Sequence, residues 1–226
     1  MMKAMILPEH LLLLAMQDDK GSVVPSSALA LPYGLNGALI LELSVRHRVM
    51  VDEQVLVELS DEPTGDDILD EALVALKDCE RDKSAEFWVA RPDALVRNLR
   101  QKLLDRLVAR GILQREEHRF LWLIPYDHFP AMDKRPERDL RQHITDTVFH
   151  GADPDESTAL LISLIDACGL IHEVFPDMDP AEVKEKLAAF TQGAQIANAI
   201  TSDVSAATTA AVTTSLMATI IPSIAP

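Results

Sequence analysis

Arg97 and Arg100 are the residues whose type and spacing best suit chemistry. The spacing predicts a helix over about 93–110, on which two arginines three positions apart share a face. Leu104 follows Arg100 by four positions and Arg97 by seven, Leu107 follows Arg100 by seven, and Val108 follows Arg97 by eleven. The face that carries the guanidiniums therefore turns apolar one helical turn later. Both cations are expected at the edge of the core, partly desolvated, where an unpaired charge is costly. Some anion must meet them. An internal carboxylate, from Glu42 or the acids of segment 61–71, is one candidate. The other is a phosphate, whose oxygens fit the fixed fork of a guanidinium.

The next segment bears on that choice. Between Gly111 and Pro125 the pattern predicts a hairpin: Ile112-Leu113, a charged turn through Arg115-Glu116-Glu117, then Phe120-Leu121-Trp122-Leu123. The last four form an apolar run with no polar alternation, so the run is either a core strand or a patch facing outward. Tryptophan is at home in the interfacial zone of a bilayer. A basic site beside an apolar tip is what a peripheral lipid binder needs, since neither signal alone holds firmly.

Signatures of catalysis are missing: no phosphate-cradling Gly-rich loop, no G-x-S-x-G elbow and no H-E-x-x-H. Asp66, Asp67, Asp70 and Glu71 form an acidic cluster, but acids in the first turns of a helix have a simpler electrostatic reason to be there. The seven histidines are scattered away from cysteine or carboxylate partners at ligand spacing. Cys79 and Cys168, the only cysteines, make no disulfide framework, which points to a reducing compartment and away from a cysteine zinc site. No enzyme activity, cofactor or metal is expected.

The elements that must position the arginines read as mostly helical. Apolar residues make up 48%, which excludes disorder, and 226 residues suffice for one domain with a sizeable core. Net charge is −15, yet between Arg91 and Arg141 there are 12 Lys/Arg against 8 Asp/Glu. An acidic chain with one locally basic stretch is a poor nucleic-acid binder, though that stretch suits an anionic partner. Pro8 and Glu9 fit the first turn of a buried helix through Leu11–Leu14 rather than a signal sequence. A second helix is expected at about Leu35–His47, then a small hairpin of 49–51 and 55–57. A helix follows with Thr64 or Gly65 near its cap and Ile68, Leu69, Leu73 and Leu76 on its core face. Further helices are predicted near 136–149, 155–168, 180–200 and 203–220. The last is charge-free after Asp203, but seven of residues 204–221 are Ser or Thr, so a packed helix fits it better than a tail anchor. The predicted fold is mainly α: a single helical domain over 1–226 with two small β-hairpins.

Four segments in order resemble the Golgi phosphoprotein 3 family, over roughly residues 7–200. These are Leu11-Leu12-Leu13-Leu14 with Asp18-Asp19-Lys20-Gly21, then Gly34-Leu35-Asn36-Gly37-Ala38-Leu39-Ile40-Leu41-Glu42-Leu43. Ser60-Asp61-Glu62-Pro63-Thr64-Gly65-Asp66 with Leu69-Asp70-Glu71-Ala72-Leu73 is the most specific, and Arg97-Asn98-Leu99-Arg100 through Leu107 to Gly111-Ile112-Leu113 completes the set. The resemblance implies a mostly helical protein that binds phosphatidylinositol 4-phosphate on the cytoplasmic face of Golgi membranes. It assigns Arg97 and Arg100 to the headgroup pocket. Asn36 stands where the family has another pocket arginine, and the position of its tryptophan falls near Ser27. Phe120, Leu121, Trp122 and Leu123 correspond to the membrane-inserting hairpin. Eukaryotic relatives carry a long basic N-terminal arm; the short ends and acidic charge here suit a bacterial-type relative.

The expectation is thus a cytoplasmic, peripherally membrane-associated adaptor that binds phosphatidylinositol 4-phosphate or another anionic phospholipid without nucleic acid, with a homo-oligomer left open. A winged-helix-like DNA binder is the alternative, since a helix ending at Leu107–Leu113 before a hairpin has that outline. A structural interaction module without a ligand is a third.

Overall fold

The computed structural model describes residues 4–53, 55–79, 83–120, 124–192 and 210–219. Its centre is a pair of helices, α1 (Leu7–Leu14) and α2 (Leu31–Val45), packed on each other. Leu11–Leu14 are at most 1% exposed, and Leu35, Ala38, Leu39, Ile40, Leu41 and Leu43 are equally buried. Helices that are apolar on every side must be enclosed by other elements, and these two are. Carboxylates tie the start of α1: Glu9 accepts from Ile6 N and Glu42 of α2 accepts from Leu7 N, both at 2.8 Å. Helix α2 starts ahead of the predicted Leu35 because Pro32 sits in its first turn, where a missing N–H costs nothing.

The other elements wrap this pair. Strands β1 (Val49–Asp52) and β2 (Val55–Glu58) form an antiparallel hairpin with Val49 opposite Glu58. Helix α3 (Asp67–Lys77) follows, capped by Asp66, whose Oδ1 accepts from Ile68 N at 3.1 Å and Leu69 N at 3.3 Å. The cap falls one or two residues past the predicted Thr64 or Gly65. Thr64 instead donates its hydroxyl to Asp70 at 2.7 Å, bracing the turn. A short helix α4 (Ala85–Val89), capped by Ser84, has no counterpart among the predicted elements.

Helix α5 (Leu99–Ala109) carries the first correction: it begins six residues later than the predicted 93. Asn98 takes left-handed angles, φ 53° and ψ 39°, which asparagine tolerates better than most residues and which no helix interior accommodates. Asp93 Oδ1 accepts from Leu99 N at 3.3 Å, occupying one of the donors an N-terminus exposes.

The second hairpin carries another. Strands β3 (Glu116–Phe120) and β4 (Ile124–His128) pair antiparallel from Glu116↔His128 to Phe120↔Ile124. Arg115-Glu116-Glu117, predicted as the turn, lead into and begin the first strand, and Ile112 and Leu113 are core residues that precede the hairpin. After the left-handed Gly111 the chain docks these two apolar residues on the core, and that burial decides the register. Leu121, Trp122 and Leu123 then connect the strands and lie outside the described residues.

Helices α6 (Arg135–His150), α7 (Glu156–Ile165), α8 (Ile171–Val174) and α9 (Pro180–Gln192) complete the wrap, close to the predicted spans apart from the short α8. The predicted continuation over 193–200 and the stretch 203–209 fall outside the described residues. Residues 210–219 are helical, with Val212 and Leu216 fully buried. A Cβ on Gly37 would stand 2.8 Å from Val212 Cγ1, so the glycine lets this segment lie directly on α2. That is the packed helix rather than the anchor. Among the described residues no helix is long and apolar enough to cross a membrane. One contiguous apolar core runs from Ile6 to Leu216, and the molecule is mainly α with two small hairpins.

Candidate functional site

Arg97 and Arg100 lie on either side of the left-handed Asn98, Arg97 in the turn and Arg100 in the first turn of α5. They are therefore not neighbours on one helical face, as an unbroken helix would make them. Both side chains are exposed, and neither guanidinium makes an ion pair or hydrogen bond among the described residues. Farther along, the basic side chains behave differently. Lys102 pairs with Glu71, Arg106 with Asp66 and Asp67, and Arg110 with Glu9. The charged head of Arg100 has lost part of its water to surrounding protein, which lowers its pKa from the ordinary arginine value. No carboxylate opposes that shift.

The carboxylates of α2 and of segment 61–71 are engaged elsewhere. Glu42 holds Leu7 N and the Arg46 Nε at 2.8 Å. Asp61 holds Lys77 at 2.7 Å, and Glu62 lies 3.9 Å from Arg48. Asp66 is 7% exposed at its side chain and takes both terminal nitrogens of Arg106, at 2.9 and 2.7 Å. Burial pushes the Asp66 carboxyl up, and the Arg106 hydrogen bonds and charge outweigh burial to hold it below the usual carboxylate range. Asp70 braces Thr64, and Glu71 takes Lys102 and, at 3.3 Å, the backbone N–H of Arg97. Through Asp66, Asp67 and Glu71 the acidic cluster is thus a clamp between α3 and α5, while Asp70 braces the turn before α3.

Beside Arg100 lies a cleft of about 380 Å³, within the range of small-ligand sites. One wall is α5, through Arg100, Gln101 and the buried Leu104, as the four-residue spacing from Arg100 to Leu104 implies. Asp93 and Asn98 from the turn before α5, and Asp127 and Phe129 from the end of β4 and just after it, complete the lining. Phe129 is 4% exposed and is held by its backbone N–H on Gly21 O at 2.9 Å. Gly21 adopts φ +59°, and a Cβ there would sit 2.3 Å from Phe129 N, so only glycine allows this seat. Arg115 packs over the Phe129 ring at 5.4 Å.

The other residues drawn from the resemblance are placed differently. Asn36 is 1% exposed and donates its amide to Trp88 O at 2.9 Å and Arg91 O at 2.7 Å, pinning α4 and the turn after it to α2. Ser27 is fully buried in the turn Pro25–Ser27, its hydroxyl 3.5 Å from Val24 O. Neither lines the cleft with Arg100. Both act as scaffold in this geometry: the Asn36 Nδ2 and the Ser27 hydroxyl are turned to backbone carbonyls, and the Asn36 Oδ1, which has no described partner, is itself buried. Phe120 ends β3, next to the connecting residues Leu121, Trp122 and Leu123.

Sequence reasoning missed Asp93, Asp127 and Phe129. The left-handed Asn98 and the position of the hairpin turn decide that these residues face Arg100, and neither could be read from helical periodicity. It also missed the stack of Arg91 on Phe87, 3.8 Å from the ring centroid, whose only sequence signal is the Ser84 cap three residues before Phe87.

The sequence pattern of the Golgi phosphoprotein 3 (GPP34) family matches residues 7–213, from the first turn of α1 into the helical segment that packs on Gly37, and takes in all four motifs and the arginine pair. The chain belongs to the Golgi phosphoprotein 3 family.

Proposed function

We propose that this chain is a peripheral membrane protein that grips the phosphate of a phospholipid headgroup, phosphatidylinositol 4-phosphate or another anionic lipid, with Arg97 and Arg100. It acts as an adaptor and not as an enzyme. The observation that carries this reading is that neither guanidinium has an ion pair or hydrogen bond among the described residues, while the acids of α2 and α3 are committed to other groups. A guanidinium with no described partner is suited to a visiting anion, and phosphate takes its fork geometry well. Family membership supports the same role.

The hairpin supplies the second membrane signal. Asp127 lines the cleft and Ile124 begins the same strand three residues away, a span of about 10 Å along an extended chain. The apolar run Phe120 to Leu123, which adjoins this strand in sequence, is the segment we assign to the bilayer interface. Two weak signals on one surface give firm binding where either alone does not. DNA binding gains no observation of its own, and the net charge of −15 opposes it.

The test is co-sedimentation with phosphatidylcholine vesicles doped with phosphatidylinositol 4-phosphate, phosphatidylglycerol or phosphatidylserine. Arg97→Glu with Arg100→Glu should abolish binding to all of them. Pull-down unchanged by the double reversal would remove these arginines from the site.

A further inference from the structure

The charges lining the cleft are mixed. Arg100 contributes one cation, while Asp93 and Asp127 contribute two carboxylates to the same 380 Å³ space. Among the described residues neither acid is fully engaged. Asp93 uses one oxygen on Leu99 N at 3.3 Å, and Asp127 reaches Arg115 Nε only at 3.7 Å. Arg115 makes its closer ion pair with Asp105. A headgroup bearing several phosphate charges would bring like charge against both acids beside Arg100. A ligand that satisfies all three side chains carries one phosphate and, a few ångströms away, one cation with N–H donors.

We propose that the cleft selects an aminophospholipid headgroup, phosphoserine or phosphoethanolamine, whose phosphodiester meets Arg100 and whose primary ammonium lies between Asp93 and Asp127. This rests on the headgroup reading above and specifies its ligand class. An ammonium has three donors and no acceptor, the complement of carboxylate oxygens, which only accept. The quaternary ammonium of phosphocholine has no N–H to give and is discriminated against. The amides of Asn98 and Gln101 and the apolar faces of Leu104 and Phe129 provide neutral walls for the glycerol and ethanolamine carbons.

Phosphatidylserine and phosphatidylglycerol carry the same net charge and differ in the amine, so the comparison is direct. The full chain is titrated with phosphatidylcholine vesicles containing one or the other. Binding to phosphatidylserine should be about tenfold tighter, the worth of one charge-assisted hydrogen bond. Asp93→Asn with Asp127→Asn keeps the Asp93 acceptor on Leu99 N and loses only a half-exposed ion pair at Asp127, so the variant folds. It should erase the preference while leaving phosphatidylglycerol binding equal or stronger. Soluble glycerophosphoserine should displace the wild-type protein from phosphatidylserine vesicles, and glycerophosphoglycerol should not. Equal affinity for the two vesicles, a preference that survives the double Asn change, or failure of the soluble headgroup to compete would each overturn the proposal. The charge reversal at Arg97 and Arg100 separates the two claims. If it abolishes vesicle binding while the Asn pair changes nothing, headgroup gripping stands and amine selection falls. If it leaves binding intact, both fall.

Discussion

Asp66 has two duties whose energies can be separated by mutation. It caps α3 through Ile68 N and Leu69 N, and it holds both terminal nitrogens of Arg106, so α3 and α5 are joined through one carboxylate. Asp66→Asn keeps the cap, because asparagine is as good a capping residue, and removes the charge. Breaking a buried ion pair by removing one partner costs about 3–5 kcal/mol. Arg106 is 18% exposed at its side chain and keeps Asp67, which is 87% exposed, so the lower end applies and should be discounted further. The expectation for Asn is about 2 kcal/mol. Asp66→Ala also loses the cap, which adds about 1 kcal/mol and brings the total to about 3 kcal/mol. For a chain of this length each kcal/mol lowers Tm by about 2–4 °C, so the Ala variant should melt roughly 6–12 °C below wild type and the Asn variant between the two. Urea denaturation followed by circular dichroism gives the free energies directly. Equal stability of the two variants would refute the separate capping term. A loss below 1 kcal/mol for Ala would refute the clamp.

Glu137 is 6% exposed, faces Asp18, and accepts from Arg141 Nε at 2.8 Å. Burial and then the Asp18 carboxylate push its pKa from 4.5 up to about 7, and the buried Asp18 Oδ1 has no described donor unless Glu137 is protonated. The folded chain therefore holds a proton that the unfolded chain releases, so stability is greatest below about pH 4.5 as far as this group is concerned. It falls by roughly 3 kcal/mol as pH rises to 7 and is level above that. Asp18, whose pKa is lowered, titrates below this window. Glu137→Gln should flatten the fall in Tm measured between pH 5 and 8; an unchanged slope would assign the pH dependence to other groups. Gly21→Ala forces a Cβ against Phe129 N at a left-handed angle and should cost about 3 kcal/mol in thermal melts while weakening vesicle binding through the displaced Phe129 wall. A fully stable Ala variant with normal binding would show that the seat is not tight.

What the residues disclosed in advance and what they withheld follow the range of each interaction. The helices that bury a continuous apolar run, α1, α2 and α7, were legible because hydrophobic pattern and first-turn residues such as Pro8 act within a few positions. The isolation of Arg97 and Arg100 was legible as a question. Its answer depended on where Glu42, Asp66, Asp67 and Glu71 turn, which is fixed by Arg46, Arg106 and Lys102 from other elements. The start of α5 was misread because a single left-handed asparagine overrides an otherwise helical pattern, and only the Asp93 carboxylate on Leu99 N makes the break visible. The hairpin turn was misread because charges at Arg115–Glu117 look like a loop, whereas the docking of Ile112 and Leu113 in the core sets where pairing starts. Family likeness placed Asn36 and Ser27 at the headgroup; the smaller side chains there withdraw into backbone hydrogen bonds. The two acids of the cleft carry no local pattern at all.

The account turns on two guanidiniums with no partner among the described residues, and their Nε–Hε resonances report on that directly. In the free protein the Hε protons of Arg97 and Arg100 should exchange with water faster than that of Arg46, whose Nε–H donates to Glu42 at 2.8 Å. Adding phospholipid nanodiscs should shift both open resonances and slow their exchange, leaving Arg46 unchanged. Protected Hε signals for Arg97 and Arg100 in the absence of lipid, or signals indifferent to its addition, would contradict the account.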